Sequence, residues 1–215
     1  MAFPMDDDRV NRDAEMQQDP VDVSSFITAA GDGDIATLQE RIAAGTDINL
    51  QNLDGYTALI AAVTSNQPET VKVLVAAGAR LDETDNNGFT ALLWAAFYGH
   101  EDIITTLAAA GAKLNEQDTQ GGTALIWAAR NGFTEIVDKL LAAGALLEKS
   151  DQDGDSALAS AARNGHADSA ALIEQGLERL RRAREWSAGK AGRDHDDLKN
   201  HASRNRLKLP GSPKP

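Results

Sequence analysis

Imidazole and carboxylate side chains near the carboxyl end are the residues best suited by type to hold a metal ion. His195 and His201 stand beside three aspartates between positions 194 and 197. Their spacing matches none of the usual ligand patterns, and the segment has the composition of a flexible tail. The acidic run at positions 6–8 has no following ligand set and indicates a solvated terminus. We therefore predict no metal site and no cofactor.

Motifs of catalysis are also missing from the sequence. The chain has no cysteine, which excludes a thiolate nucleophile. It has no phosphate-binding loop, nucleophile elbow or His-Glu-x-x-His helix. We predict that the protein is not an enzyme and that its chemistry is that of binding.

Glycine, threonine and leucine residues recur every 33 positions in this chain. They indicate the structural elements that must position any binding groups. Self-similarity at a fixed period indicates one supersecondary unit copied in tandem. Such an array offers a long surface rather than a deep catalytic cleft. The recurring residues are Gly55, Gly88, Gly121 and Gly154, then Thr57, Thr90, Thr123 and Ser156, then Leu59, Leu92, Leu125 and Leu158, and also Gly45, Gly78, Gly111 and Gly144.

Within one copy, residues 87–118, a turn is followed by two short predicted helices. Thr90 can cap the first helix, over residues 91–97, because its hydroxyl can accept a hydrogen bond from a free backbone N–H. Gly99 ends this helix, and Gly111 ends the second one. Helices this short are not stable alone in water, so each must bury one face on its neighbours.

Three copies of one motif, together with a recurring Ala-Gly-Ala, resemble ankyrin repeats. The resemblance covers about residues 21–176. It implies that His100 and His166, at the starts of predicted helices, cap those helices rather than catalyse. It implies an all-α fold, a solenoid of about five helix-turn-helix units with short turn fingers. The motif copies are Gly55-Tyr56-Thr57-Ala58-Leu59, Gly88-Phe89-Thr90-Ala91-Leu92 and Gly121-Gly122-Thr123-Ala124-Leu125, followed by Ala77-Gly78-Ala79.

The predicted organisation has three parts. Residues 1–20 form an acidic segment that we expect to be flexible. The ankyrin repeat domain follows at 21–176, and residues 177–215 are predicted to be a basic helical extension with a flexible tail. The first unit lacks the Gly-x-Thr turn and the last has a more polar second helix, as the ends of a solenoid require. The units lie at about 21–53, 54–86, 87–119, 120–152 and 153–176.

In ankyrin repeat proteins, partners bind the tips of the turns and the first helix of each pair, which together form a concave face. The resemblance therefore implies a set of partner-binding residues in this chain. They are Leu53, Asp54, Tyr56, Asn86, Asn87, Phe89, Trp94, Phe97, Tyr98, Thr119, Gln120, Trp127, Arg130, Asn131, Asp153, Asp155 and Arg163.

Aromatic residues stand out in this set. Tyr56, Phe89, Phe97 and Tyr98 all fall on positions predicted to be exposed, in a chain with only 5 Phe, 3 Trp and 2 Tyr. Aromatic side chains are enriched at binding hot spots because they bury a large area at little entropic cost. We interpret the four as binding residues; the alternative is that they pack on each other between adjacent turns. For Trp94 and Trp127, which are equivalent positions, the regularity favours packing.

Two arginines, Arg130 and Arg163, are also equivalent positions in successive copies. They could meet carboxylates on a partner. They could instead pair with Asp153, Asp155 or glutamates of this chain. The sequence favours neither alternative.

Charge divides the chain near position 176. Residues 1–176 carry ten Lys and Arg and twenty-eight Asp and Glu, a net charge of −18, whereas residues 177–215 carry eleven and five, a net charge of +6. No apolar run approaches the roughly 20 residues of a membrane span, and the acidic start does not resemble a signal peptide. We expect a cytoplasmic protein, and the alanine-rich composition favours a bacterial source.

The function predicted from the sequence is that of a non-catalytic module that binds a partner protein on the concave face. One alternative is an inhibitor or immunity-type protein that blocks a basic enzyme or toxin. Another is a basic tail that binds nucleic acid or an anionic membrane, although the acidic domain would oppose a polyanion. We expect a monomer in the absence of the partner.

Overall fold

A computed structural model describes residues 20–206 of the 215, with side chains from residue 23 to residue 187. The regular secondary structure of residues 20–206 is helical, apart from one isolated antiparallel β-bridge between Ser150 and Ser156. The helices in chain order are α1 (Pro20–Asp32), α2 (Ile35–Ala43), α3 (Ala58–Thr64), α4 (Pro68–Ala76), α5 (Ala91–Tyr98), α6 (Glu101–Ala109), α7 (Ala124–Asn131), α8 (Thr134–Ala142), α9 (Ala157–Arg163) and α10 (Ala167–Arg206).

Consecutive helices form pairs, and the pairs stack in two rows. Helices α1, α3, α5, α7 and α9 contact one another in succession, and α4, α6 and α8 form a second row. Apolar side chains such as Leu59, Leu92 and Ile104 are almost fully buried where these helices pack. This arrangement confirms the predicted all-α repeat solenoid.

Hydroxyl groups start the first helix of each regular unit, as predicted. Thr57, Thr90 and Thr123 each accept a hydrogen bond from the backbone N–H three residues further on, at 3.2 to 3.3 Å. Ser156 does the same for Ala159 at 3.3 Å. Each cap satisfies one of the N–H groups that a helix start leaves without a partner.

Glycine is required at the turns for two reasons, which Gly55 and Gly88 illustrate. Both have positive φ, +79° and +77°, a conformation that strains other residues. Both also lie against the next turn: a Cβ on Gly55 would lie 2.8 Å from the backbone N of Asn86, and one on Gly88 would lie 2.9 Å from that of Thr119. The 33-residue glycine period therefore reflects close backbone packing as well as turn geometry.

The expectation that histidine caps the second helices is wrong for His100. This residue occupies the N-cap position of α6, but its side chain makes no capping hydrogen bond. The first turn of α6 instead carries Glu101 and Asp102, whose negative charge is favourable at a helix N-terminus. The ring of His166 packs against Gly132.

Helix α10 continues well beyond residue 176. Its contacts assign residues up to Ile173 to one compact unit and residues from Glu174 to another. In the second unit Glu178 pairs with Arg181 at 3.0 Å and Arg182 at 2.9 Å. The hydrogen bond from Arg182, followed by that from Arg181, lowers the pKa of Glu178.

Several predictions fall outside the described residues. They concern the acidic residues 1–19, the last residues of the tail, and the side chains of His195 and His201. In residues 20–206, no helix combines the length and the apolar character needed to cross a membrane.

Candidate partner-binding surface

The turns that precede the first helices are short loops closed by their own backbone; we call them fingers, at 52–56, 85–89, 118–122 and 151–155. In the second finger the N–H of Asp85 donates to the carbonyl of Phe89 at 3.0 Å, and the N–H of Gly88 donates to the carbonyl of Asp85 at 2.9 Å. The other three fingers have the same two hydrogen bonds. The fingers are therefore rigid supports for the residues at their tips.

The first side chain of each finger holds the loop from inside. The Oδ1 atom of Asp85 accepts hydrogen bonds from the backbone N–H groups of Asn87 and Phe89, at 2.8 and 2.9 Å. Asn52, Asp118 and Asp151 form equivalent pairs of hydrogen bonds in their own fingers. Sequence reasoning missed this role.

Two of these carboxylates also bind a tryptophan of the following helix. The second oxygen of Asp85 accepts a hydrogen bond from the indole N–H of Trp94 at 3.0 Å, and that of Asp118 accepts one from Trp127 at 2.6 Å. The signal was present in the sequence, because both pairs are separated by nine residues and lie 33 positions apart. The structural role favoured for the two tryptophans agrees with this geometry.

Successive fingers are bonded to one another in a row. The backbone N–H of Asn86 donates to the carbonyl of Asp54 at 3.1 Å, and its side-chain amide donates to the carbonyl of Leu53 at 2.9 Å. Equivalent backbone bonds join Thr119 to Asn87 and Gln152 to Gln120. This row places the finger tips side by side, and Leu53, at 98% exposure, is the most prominent apolar side chain among them.

Six aromatic residues form a connected group that we call the aromatic cluster: Tyr56, Phe89, Trp94, Phe97, Tyr98 and Trp127. The rings of Trp94 and Tyr98 are stacked, with centroids 5.3 Å apart and planes 12° apart. Phe97 lies edge-on to Trp127 at 5.1 Å and to Trp94 at 5.7 Å. The alternative that the aromatic residues pack on each other is thus what the structure shows.

Burial within the cluster corrects part of the predicted site. Phe89 was expected to be exposed but retains only 9% exposure, because its ring lies between those of Trp94, at 4.5 Å, and Trp127, at 5.7 Å. Trp127 and Asp155 are buried as well. These three residues shape the surface without being accessible to a partner.

The accessible part of the cluster is a smaller set that we call the aromatic rim: Tyr56, Trp94, Phe97 and Tyr98. Tyr98 is 46% exposed and the other three are half-buried. Burial, followed by the negative charges of Asp85 and other neighbours including Asp54, raises the pKa of Tyr56. The rim is therefore an apolar surface in a negative electrostatic environment.

Both arginines of the predicted site are paired within the chain. Arg163 pairs with Asp155 in the same unit. Arg130 pairs with Asp151 of the next finger, and its guanidinium also lies over the ring of Trp127, 4.7 Å from the centroid. Of the two alternatives, intramolecular pairing is the one observed, although Asp151 was not among the partners expected for Arg130.

The remaining predicted residues divide by role. Asn131 donates a side-chain hydrogen bond to the carbonyl of Phe97 at 2.9 Å and thereby links α7 to α5. Six residues are exposed at or beside the finger tips and remain available for contact: Asp54, Asn86, Asn87, Thr119, Gln120 and Asp153.

Metal binding and the surroundings of His100 are the remaining features of the candidate site. Among the side chains from 23 to 187, no group of three or more histidines and carboxylates could hold a metal ion. His100 stacks on Tyr98 at 5.7 Å, and its Nε2 atom is buried without a hydrogen-bond partner. Burial lowers the pKa of His100.

Comparison with known proteins identifies the repeat. A family model described as "Ankyrin repeats (3 copies)" matches residues 26–118 and 110–179. A search of curated proteins returned no match. Ankyrin repeats generally mediate protein–protein interaction, and the proteins that contain them are typically non-catalytic interaction modules. The 33-residue period, the paired helices, the fingers and this match together show that the chain belongs to the ankyrin repeat family.

Proposed function

We propose that the protein is a non-catalytic module that binds a partner protein through its finger tips and first helices, the concave face of an ankyrin stack. The observation that carries the proposal is Tyr98, which is 46% exposed although its ring is held by Trp94 and Phe97. A ring that is already fixed loses little conformational entropy on binding, which is the property of an affinity anchor.

The surface available to the partner consists of the aromatic rim and the polar tips around it. An apolar centre surrounded by polar groups is the usual anatomy of a protein interface. Hydrogen bonds between fingers and the Asp–Trp bonds make this surface rigid before binding. The exposed tip residues of the predicted site are Leu53, Asp54, Asn86, Asn87, Thr119, Gln120 and Asp153.

The proposal is tested by affinity capture from the native source, with the retained proteins identified by mass spectrometry. Replacing Tyr98→Ala should weaken binding of the retained partner by roughly tenfold or more, as expected for a hot-spot residue. Circular dichroism should show unchanged helicity. Leu146→Ala is the matched control, because Leu146 is 53% exposed but lies after α8, outside the aromatic rim. Wild-type affinity in the Tyr98→Ala protein would rule out this surface.

A second candidate, an inhibitor of a basic enzyme or toxin, is favoured by charge. Residues 1–176 have a net charge of −18, which attracts a basic partner and accelerates its association. If the retained partner is a basic enzyme, adding the protein should inhibit it in stoichiometric assays. Binding of nucleic acid by the tail, a cytoplasmic location and a bacterial source stay predictions.

A further inference from the structure

We propose that the aromatic rim receives the cationic side chain of an arginine or lysine that the partner presents. This inference rests on the proposed function of the same surface, and it adds the chemistry of the group that is recognised. The occupant is a basic segment of a partner protein.

The neighbouring unit contains an internal example of the contact. Arg130 places its guanidinium 4.7 Å from the ring centroid of Trp127, a geometry in which a cation is attracted by the electron-rich face of the ring. At the equivalent positions 33 residues earlier, Trp94 is accompanied by Phe97. The unit that contains the exposed Tyr98 therefore has Phe97, and not an arginine, at the position of Arg130.

Cations elsewhere in this part of the chain are already paired. Residues 53–100 contain Lys72, Arg80 and His100 as basic residues. Lys72 pairs with Glu69 at 2.7 Å and Arg80 pairs with Glu83 at 3.2 Å. His100 stacks on Tyr98, but burial lowers the pKa of its imidazole and so favours the neutral form. Among the described residues, no lysine or arginine reaches the rim as a counter-ion.

Negative charge next to the rim is left without such a counter-ion. Asp54 is exposed at the tip of the first finger and forms no ion pair with the described residues. Burial raises the pKa of Tyr56 most, and the negative charges of Asp85 and Asp54 raise it further. Because Phe89 and Tyr98 lie against the ring of Trp94, the surface open to a cation is the exposed part of Tyr98. The carboxylate of Asp54 offers the cation a charge partner.

The charge of the whole domain supports the same occupant. With −18 over residues 1–176, the domain attracts basic protein segments and repels polyanions. In the two later units, the arginines at the position equivalent to Phe97 are paired with Asp151 and Asp155.

The experiment titrates full-length, isotope-labelled protein with the peptide Gly-Ser-Gly-Arg-Gly-Ser-Gly and with a twin in which citrulline replaces arginine. Citrulline keeps the shape but has no charge. The arginine peptide should shift the indole N–H signal of Trp94 and leave that of Trp127, whose ring Arg130 already covers, nearly unchanged. The citrulline peptide should shift neither. Single Trp→Phe variants assign the indole signals.

Two variants at one position isolate the ring. Tyr98→Leu keeps apolar bulk but removes the π face, and should weaken binding of the arginine peptide roughly 2- to 5-fold, the effect of an exposed cation–π contact. Tyr98→Phe should bind within about twofold of the wild type, because the ring is retained. Leu146→Ala again serves as the control outside the rim.

Three results would overturn the inference: equal shifts with the two peptides, equal shifts at Trp94 and Trp127, or no shift with the arginine peptide at millimolar concentration. If sedimentation shows self-association that Tyr98→Leu abolishes, a second copy of this chain is the occupant and the inference of a separate partner fails. The proposed function fails separately, when Tyr98→Ala retains the captured partner with wild-type affinity.

Discussion

At the scale of single residues, the buried carboxylates of the fingers connect the loop to the helix behind it. Asp118 accepts two backbone N–H groups with Oδ1 and the indole N–H of Trp127 with Oδ2. Asp85 does the same in the preceding unit, where its indole partner is Trp94. The orientation of the aromatic rim therefore depends on a residue that no partner touches.

Replacing Asp118→Ala should lower the free energy of unfolding by about 3 kcal/mol, because three donors, two of them buried, lose their acceptor. Urea denaturation followed by tryptophan fluorescence measures this change. Asp138→Ala is the control, since Asp138 is exposed in α8 and its loss should cost no more than about 0.5 kcal/mol. A loss no larger than that of the control would show that the Asp–Trp bond has no structural role.

The stability of the folded protein should depend on pH through a single residue, His100. Burial lowers the pKa of His100 in the folded protein, whereas in the unfolded chain it is about 6.5. As the pH falls below about 6.5, the unfolded state binds the proton first, and the folded state loses stability. His100→Gln should therefore lose less stability between pH 7.5 and pH 5.5 than the wild type, measured by urea midpoints. Parallel losses in the two proteins would contradict the assignment.

At the scale of the elements, the short helices depend on their caps. Helix α7 has only 8 residues, and Thr123 caps it with a hydroxyl that accepts the N–H of Ile126. Ser156 has the same role in the last unit. The hydroxyl rather than the rest of the side chain is therefore the feature that recurs at this position.

Thr123→Ala should destabilise the protein by about 1 kcal/mol because it removes the cap. Thr123→Ser should recover most of that loss, because serine keeps the hydroxyl. Thermal or urea unfolding with circular dichroism gives both values. Equal losses in the alanine and serine variants would assign the effect to packing of the methyl group instead.

At the scale of the whole molecule, side chains outside the core tie each unit to the next. Asn115 accepts the backbone N–H of Leu146 at 2.8 Å, and Gln117 donates to the carbonyl of Ser150 at 3.0 Å. Asn49 and Asp82 accept equivalent N–H groups in earlier units. Because a solenoid unfolds through the interfaces between neighbouring units, such bonds set its cooperativity.

The double variant Asn115→Ala with Gln117→Ala should broaden the urea transition and lower its m-value, because the units on either side of this interface unfold less cooperatively. Circular dichroism across the urea series measures it. Gln120→Ala, at an exposed finger tip, should leave the m-value unchanged. A shift of the midpoint with an unchanged m-value would show that cooperativity does not depend on these bonds.

The repeat architecture could be predicted from the sequence because turn glycines and capping hydroxyls act locally. Gly88 and Thr90 have the roles that their spacing indicates. The accessibility of the candidate site could not be predicted in the same way. Phe89 is buried because rings from two helices close over it, and the partner chosen by Arg130 depends on how the next finger stacks.

The central claim is that a partner protein binds the finger tips and the first helices. Hydrogen–deuterium exchange on the protein, alone and with the partner retained by affinity capture, tests this claim most directly. We expect binding to slow exchange in fingers 52–56 and 85–89 and in α5, and to leave α4, α6 and α8 unchanged. Slowed exchange confined to α4, α6 and α8, or to residues 174–206, would contradict the account.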